Sequence, residues 1–132
     1  MNEELQAFAR RVEDSLTRHN LKISTAESCT GGRASEVLTS IPGSSEGFER
    51  GFVTYSNIAK QEMLGVSLET MERHGVVSEQ TVHEMAEGAL HHSHAQISLA
   101  ISGIAGPGGA VLDKPVGTVC LAWAGLGLET RS

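Results

Sequence analysis

The spacing of hydrophobic and polar positions along this chain predicts helices that alternate with strands. Apolar residues three or four positions apart predict helices, which lie over 2–19, over 33–41, from a cap at Ser56 or Asn57 to Leu64, over 68–73, and from a cap at Ser78 to about His91. Apolar residues at every second position predict strands, which lie over 21–26, 50–55, 96–102 and 116–124. Helices alternating with strands predict a single-domain, three-layer α/β/α sandwich with a mixed sheet.

Length, charge and cysteine content narrow the classes of protein. The chain has 132 residues and a formal net charge of −6, which suits one domain and disfavours nucleic acid as the main partner. No apolar run approaches the length of a membrane span, and the charged, amphipathic first segment does not resemble a signal peptide. Two cysteines, Cys29 and Cys120, do not make a disulfide framework and fit a reducing cytoplasm.

The segment Thr25 to Gly32 is the most informative stretch, because it joins the first predicted strand to the second predicted helix. A helix start leaves unpaired N–H groups that favour negative charge, and glycines let a ligand approach the backbone. A hydroxyl at this turn therefore lies beside an anion site. We interpret Ser28 as a candidate nucleophile; helix capping is the alternative for such small polar residues.

Lys60 is the candidate base for that nucleophile. It lies near the start of a predicted helix, where the dipole disfavours a cation, and partial burial lowers a lysine pKa further. A neutral lysine can accept the proton of a serine, so Ser28 and Lys60 are a candidate serine–lysine dyad; a solvated surface lysine is the alternative. Tyr55, five residues earlier, is a candidate proton relay or holder of the lysine, or else a core aromatic residue at a strand end.

Other small or polar residues lie at the same predicted strand ends. Alternation along a strand predicts that only one of Ser28 and Cys29 faces a pocket, and Cys29 is the rival nucleophile. Thr30, Gly31 and Gly32 are candidate backbone donors to an oxyanion, and Glu27 is a candidate carboxylate that orients the lysine. Arg33 and Arg50 are candidate partners of a phosphate. The loop 103–109, with Ser102, Gly103 and Gly106, is a candidate cover over the ligand. We interpret His91, His92 and His94 as a solvated helix end and predict no metal site.

Four motifs in the same order resemble the CinA C-terminal domain family. They are 25–32 (TAESCTGG), 51–57 (GFVTYSN) with Lys60, 75–79 (GVVSE), and 102–107 (SGIAGP) through 114–119 (KPVGTV). The resemblance covers nearly the whole chain. It implies an α/β/α sandwich, a homodimer, no cofactor, and hydrolysis of nicotinamide mononucleotide to nicotinate mononucleotide and ammonia. It also implies that Ser28 and Lys60 form the catalytic pair, with Tyr55 beside them.

The resemblance carries two departures and leaves two other functions open. Members of the family usually continue past the last strand with a Gly-Asp-Arg segment and a C-terminal helix, and we expect both to be missing from 1–132. Some members also carry an N-terminal molybdopterin-binding-like domain, which we likewise expect to be missing from 1–132. The alternatives are a catalytically silent nucleotide-binding or regulatory domain and a thiol hydrolase that uses Cys29.

Overall fold

The computed structural model describes residues 2–111 and 113–132. In chain order its elements are α1 (Glu3–His19), β1 (Ile23–Glu27), α2 (Arg33–Thr39), a 3₁₀ turn (Ser44–Glu46), β2 (Phe48–Val53), α3 (Asn57–Leu64), α4 (Leu68–His74), α5 (Glu79–His91), β3 (Ile97–Gly103) and β4 (Val119–Gly125).

The strands form a single mixed sheet with helices on both faces. Its order is β2-β1-β3-β4, with β1 parallel to β2 and β3, and β4 antiparallel to β3. Helix α5 packs on β1, β3 and β4, whereas α2 contacts β1 and β2 and carries α1 beside it. The predicted single-domain α/β sandwich with a mixed sheet is confirmed.

The two faces of β1 have different partners because strand side chains alternate. Ser24 donates from Oγ to the α5 carbonyl of Ala89 at 3.1 Å, whereas the Thr25 hydroxyl lies 2.7 Å from that of Ser35 on α2. Ala26 returns to the α5 face in the fully buried core. Even-numbered residues of β1 therefore face α5, and odd-numbered residues face α2.

Serine caps and glycine stops define the helix boundaries. The side chain of Ser56 accepts a hydrogen bond from the N–H of Ala59, so Ser56 is the cap of α3, and Gly65 ends that helix with φ 71°. Ser67 and Ser78 cap α4 and α5 in the same way. These caps explain why the predicted helix starts agree with the structure to within two residues.

Two predicted strands are displaced. Strand β2 spans Phe48–Val53 instead of 50–55, so Tyr55 lies beyond the strand. Strand β4 begins at Val119 and not at 116, because Gly117 adopts φ 95° and the Thr118 N–H donates to the Pro115 carbonyl in a turn. Apolar alternation does not reveal that turn, since backbone conformation and not side-chain hydropathy interrupts the pairing.

The parallel strands end at the same edge of the sheet. Register pairs Glu27 with Val53 on one side and with Ile101 on the other, so the segments that follow β1, β2 and β3 are neighbours. Within the described parts of the chain, no helix combines the length and the apolar character needed to cross a membrane.

Candidate active site

Ser28 is the first residue after β1, and the sheet fixes its backbone. Its N–H donates to the Ile101 carbonyl of β3 at 3.0 Å, and its carbonyl accepts from Gly31 at 3.1 Å. Its hydroxyl faces Lys60 on α3, the helix that packs beside α5. Only 7% of its surface is exposed, so the hydroxyl lies in a protected environment.

Lys60 places its amine against that hydroxyl. It is the fourth residue of α3 and is fully buried. Its Nζ lies 3.1 Å from Ser28 Oγ, 2.9 Å from the Thr54 carbonyl oxygen and 3.3 Å from the Tyr55 carbonyl oxygen. Burial lowers the pKa of Lys60 below its ordinary value, although the neighbouring Cys29 partly opposes this shift.

The three partners of Lys60 define which way a neutral amine is oriented. A neutral amine has two N–H donors and one lone pair, and a carbonyl oxygen can only accept. When the carbonyls of Thr54 and Tyr55 take the two donors, the lone pair is directed toward the Ser28 hydroxyl. The same three positions satisfy the three donors of the ammonium form, so proton transfer requires little movement of Lys60.

A cavity of about 300 Å³ opens at these two side chains. It contains the predicted residues Ser28, Lys60, Tyr55, Ser102, Gly103 and Gly106, together with Cys29, Val76, Val77, Ile104, Ala105, Gly108 and Gly109. Segments that follow β1, β2 and β3 therefore meet at this cavity. Val76 and Val77 were missed as lining residues, because apolar residues between two helices carry no chemical signal in the sequence.

Ser28 and Cys29 both line this cavity, so the expectation that only one of them faces it is wrong. Alternation applies within a strand, and β1 ends at Glu27. Burial raises the pKa of the Cys29 thiol, and Glu27 adds to the shift while Lys60 opposes it. Because the thiolate is the reactive form of cysteine, this environment disfavours Cys29 as the nucleophile.

Glu27, Thr30 and Arg33 have their partners on the other face of the sheet and do not line this cavity. Glu27 accepts hydrogen bonds from Thr30 and from the start of α2. Thr30 and Arg33 line a separate apolar cavity between α1, α2 and the sheet. Gly31 and Gly32 adopt φ 60° and 112°, conformations that favour glycine in this tight turn.

Tyr55 and Arg50 have surroundings that the sequence did not predict. The Tyr55 side chain is 70% exposed, and the hydrogen bond that Tyr55 makes with Lys60 comes from its backbone carbonyl. Arg50 pairs with Glu49 at 2.7 Å and donates to the His92 carbonyl. His92 follows α5 directly, and residues 94–96 then lead into β3, so Arg50 lies toward the sheet edge opposite Ser28.

The histidines near the end of α5 make local contacts. His92 Nδ1 lies 2.8 Å from the Gly88 carbonyl, and the rings of His91 and His92 meet edge to face at 5.1 Å. Across residues 2–111 and 113–132, no group of three or more His, Cys, Asp or Glu side chains is arranged to hold a metal ion.

Comparison with known proteins assigns the family. The sequence profile of the CinA C-terminal domain matches residues 5–131. The chain belongs to the CinA C-terminal domain family. Among solved structures, competence/damage inducible protein CihA from Agrobacterium tumefaciens is 47% identical and superposes with a TM-score of 0.95. The match includes 99% of this chain and 79% of the CihA chain. A CinA superfamily protein from Escherichia coli is 34% identical and superposes with a TM-score of 0.91; the match includes 99% of this chain and 78% of that chain.

Curated relatives in this family carry different names. Nicotinamide-nucleotide amidohydrolase PncC of Escherichia coli K12 is 53% identical over 121 residues, which are 92% of this chain and 73% of that protein. A PncC from Enterobacter agglomerans is 57% identical over 78% of this chain and 63% of its own length. The CinA-like protein of Akkermansia muciniphila is 56% identical over 89% of this chain, which spans only 28% of that protein.

Proposed function

We propose that this CinA-family chain is an amidohydrolase that converts nicotinamide mononucleotide to nicotinate mononucleotide and ammonia. The observation that carries the proposal is the 3.1 Å contact between the buried Lys60 amine and Ser28 Oγ, at the wall of a cavity of ligand size. The names of the two PncC relatives supply the substrate.

In the proposed first step, Ser28 Oγ attacks the carboxamide carbon while its proton moves to the lone pair of Lys60. The carbonyl oxygen becomes an oxyanion. As the tetrahedral intermediate collapses, Lys60 returns its proton to the leaving nitrogen and ammonia departs. Water then attacks the acyl-enzyme, with Lys60 again accepting a proton, to release the carboxylate product and restore the Ser28 hydroxyl.

The oxyanion donors are proposed to be backbone N–H groups at the start of the turn. Cys29, the residue after the proposed nucleophile, lines the cavity. Gly31 uses its N–H to bond the Ser28 carbonyl. Thr30 and Gly32 stay the predicted donors, and an amide N–H that binds an oxyanion contributes on the order of 100-fold in rate.

The rest of the cavity is proposed to hold the pyridine ring and ribose. Gly103 packs so tightly that a Cβ there would lie 2.9 Å from Cys29 Sγ and 2.9 Å from the Thr118 carbonyl oxygen. Glycine at this position therefore lets the backbone after β3 lie close to Cys29 at the cavity wall. A phosphate contact with Arg33 stays a prediction, as does a relay through Tyr55.

Ammonia release from nicotinamide mononucleotide tests the proposal. We expect Ser28→Ala to lose about 10³-fold or more of the activity, because the reaction then lacks its nucleophile, while thermal unfolding stays near that of the unchanged protein. Ser40→Ala, at the exposed far end of α2, is the control and keeps full activity. A wild-type chain that binds the mononucleotide in calorimetry but releases no ammonia would instead support the catalytically silent alternative.

Two finer expectations complete the proposal. A homodimer rests on the family resemblance, and sedimentation equilibrium that gives only the mass of one chain would contradict it. A cytoplasmic location rests on the two free cysteines, Cys29 and Cys120, and on the intracellular nature of a nucleotide substrate; fractionation of cells that express the chain tests it.

A further inference from the structure

Glu27 is a fully buried carboxylate at the junction of β1 and α2. Its Oε1 accepts from the Thr30 hydroxyl at 2.6 Å and from the Ala34 N–H at 2.8 Å. Its Oε2 accepts from the Ser35 N–H at 2.9 Å and from the Ser35 hydroxyl at 2.7 Å. Both oxygens are therefore committed to the turn that follows Ser28 and to the first residues of α2.

This arrangement gives α2 the cap that its own sequence does not provide. The residue at the cap position is Gly32, which has no side chain to accept from the helix, and unpaired N–H groups at a helix start favour a negative partner. Burial on its own raises the pKa of Glu27, but the four hydrogen bonds outweigh it, and the net pKa lies below its usual range. The residue is an anion at neutral pH.

The same residue also connects to the lysine through its main chain. The Glu27 carbonyl accepts from the Thr54 N–H at 2.8 Å, and the Thr54 carbonyl accepts from Lys60 Nζ at 2.9 Å. Ser28 is the next residue along the chain. Glu27 thus contacts, directly or through one residue, both segments that hold the two reacting groups.

The direction of the side chain separates it from the ligand. Glu27 is an odd-numbered residue of β1 and points to the α2 face, whereas Ser28 points to the cavity on the other face. Thr30, one of its partners, lines the cavity on the α2 side. A carboxylate in this position acts on the reaction through the backbone.

We propose that Glu27 is a positioning residue, whose carboxylate fixes the β1–α2 turn so that the Ser28 hydroxyl stays within hydrogen-bond distance of the Lys60 amine. This inference rests on the proposed amidohydrolase function. It assigns Glu27 to the placement of the nucleophile rather than to substrate contact, and it predicts a loss in kcat with little change in KM.

Glu27→Gln is the first test, because the amide has nearly the shape of the carboxylate. In the variant, the NH2 group of the glutamine side chain would face N–H and O–H donors that bond to a carboxylate oxygen in the wild type. We expect kcat to fall about 10- to 100-fold and KM to change by less than about threefold. Ser35→Ala and Thr30→Val each remove a single hydrogen bond to the carboxylate and should give smaller falls in kcat, also at constant KM.

A matched control separates positioning from general stability. Glu13 is a second buried glutamate; it lies on α1 and faces Gly47, just before β2 and hence at the sheet edge opposite Ser28. Glu13→Gln should lower the melting temperature while kcat stays at the wild-type value. A rise in KM as the main effect of Glu27→Gln, or equal kcat losses in both glutamine variants, would overturn the proposal. If Glu27→Gln does not fold, wild-type kcat in both Ser35→Ala and Thr30→Val would overturn it.

Labelling of Ser28 by a fluorophosphonate distinguishes this inference from the substrate assignment. The serine oxygen bonds to phosphorus, fluoride leaves, and Lys60 takes the proton, so the rate reports nucleophile placement without any nucleotide. Slower labelling of Glu27→Gln than of the wild type supports the positioning role even if the wild type releases no ammonia, in which case only the substrate assignment fails. Equal labelling rates in the two proteins, or no labelling of the wild type, would overturn it.

Discussion

Replacing Lys60 by methionine removes the proposed base while keeping an unbranched side chain of similar length in a fully buried position. The variant loses the acceptor for the Ser28 proton, and general base catalysis typically contributes 10²- to 10⁴-fold. We therefore expect the rate of ammonia release to fall by about that factor. Ser28 Oγ, 3.1 Å from Nζ in the wild type, keeps its place because the Ser28 N–H still bonds to the Ile101 carbonyl of β3 and Glu27 is unchanged.

The stability change of this variant is a difference between two opposing effects. The carbonyls of Thr54 and Tyr55 lose their donor; the Thr54 oxygen is buried, and an unsatisfied buried acceptor costs about 1–3 kcal/mol, whereas Tyr55 is exposed to water. Against this, the variant no longer buries a group that prefers to be charged, and replacing buried charges with apolar side chains is often neutral or stabilising. We expect a net change within about 2 kcal/mol, so loss of activity is not loss of fold.

The dependence on pH is the sharper test. The folded pKa of Lys60 lies below the unfolded value near 10.5, so between these two values the unfolded chain binds more protons and the wild type gains stability as pH rises. Each unit of that difference corresponds to about 1.4 kcal/mol. The free energy of unfolding of each protein is measured by urea denaturation at a series of pH values. Subtracting the value of the methionine variant from that of the wild type at each pH isolates the contribution of Lys60. For the same reason kcat/KM of the wild type should rise with pH as Lys60 loses its proton.

Two results together would refute this reasoning. One is a set of stability curves for wild type and variant that run parallel from neutral pH to above 10. The other is a methionine variant whose ammonia release falls by only a few fold. Lys60 would then be an ordinary protonated lysine that holds two carbonyls, and the Ser28 proton would need another acceptor.

Two further predictions concern Gly88 and Cys29. Gly88→Ala should destabilise the fold by about 1–3 kcal/mol and lower activity, because the new Cβ would lie 2.0 Å from the Leu64 carbonyl oxygen of α3, the helix that carries Lys60; thermal unfolding measures it, with the exposed Gln80→Ala on the same helix as control. Cys29→Ala should keep activity within about tenfold, since burial raises the thiol pKa and keeps it protonated. A loss as large as that of Ser28→Ala would favour the thiol mechanism.

Local sequence patterns predicted most of the helices and strands. The caps at Ser56 and Ser78 and the stop at Gly65 were readable because they act within a few residues. Predicted strand ends were less accurate: Val116 continues the alternating apolar pattern of β4, yet the turn at Gly117 keeps residues 116–118 out of the sheet.

The sequence by itself determined the α/β class, because periodicity and capping are local properties. Its short motifs, through their resemblance to the CinA C-terminal domain family, indicated Ser28 and Lys60 as the candidate pair. It did not determine the role of the Thr54 and Tyr55 carbonyls or the separation of Glu27 from the cavity. The two carbonyls lie only six and five residues before Lys60, but their approach to Ser28 depends on the register of the parallel strands β1, β2 and β3, which pairs residues 25 or more positions apart along the chain. Backbone carbonyls are present in every residue, so only the tertiary structure decides which of them hold the lysine.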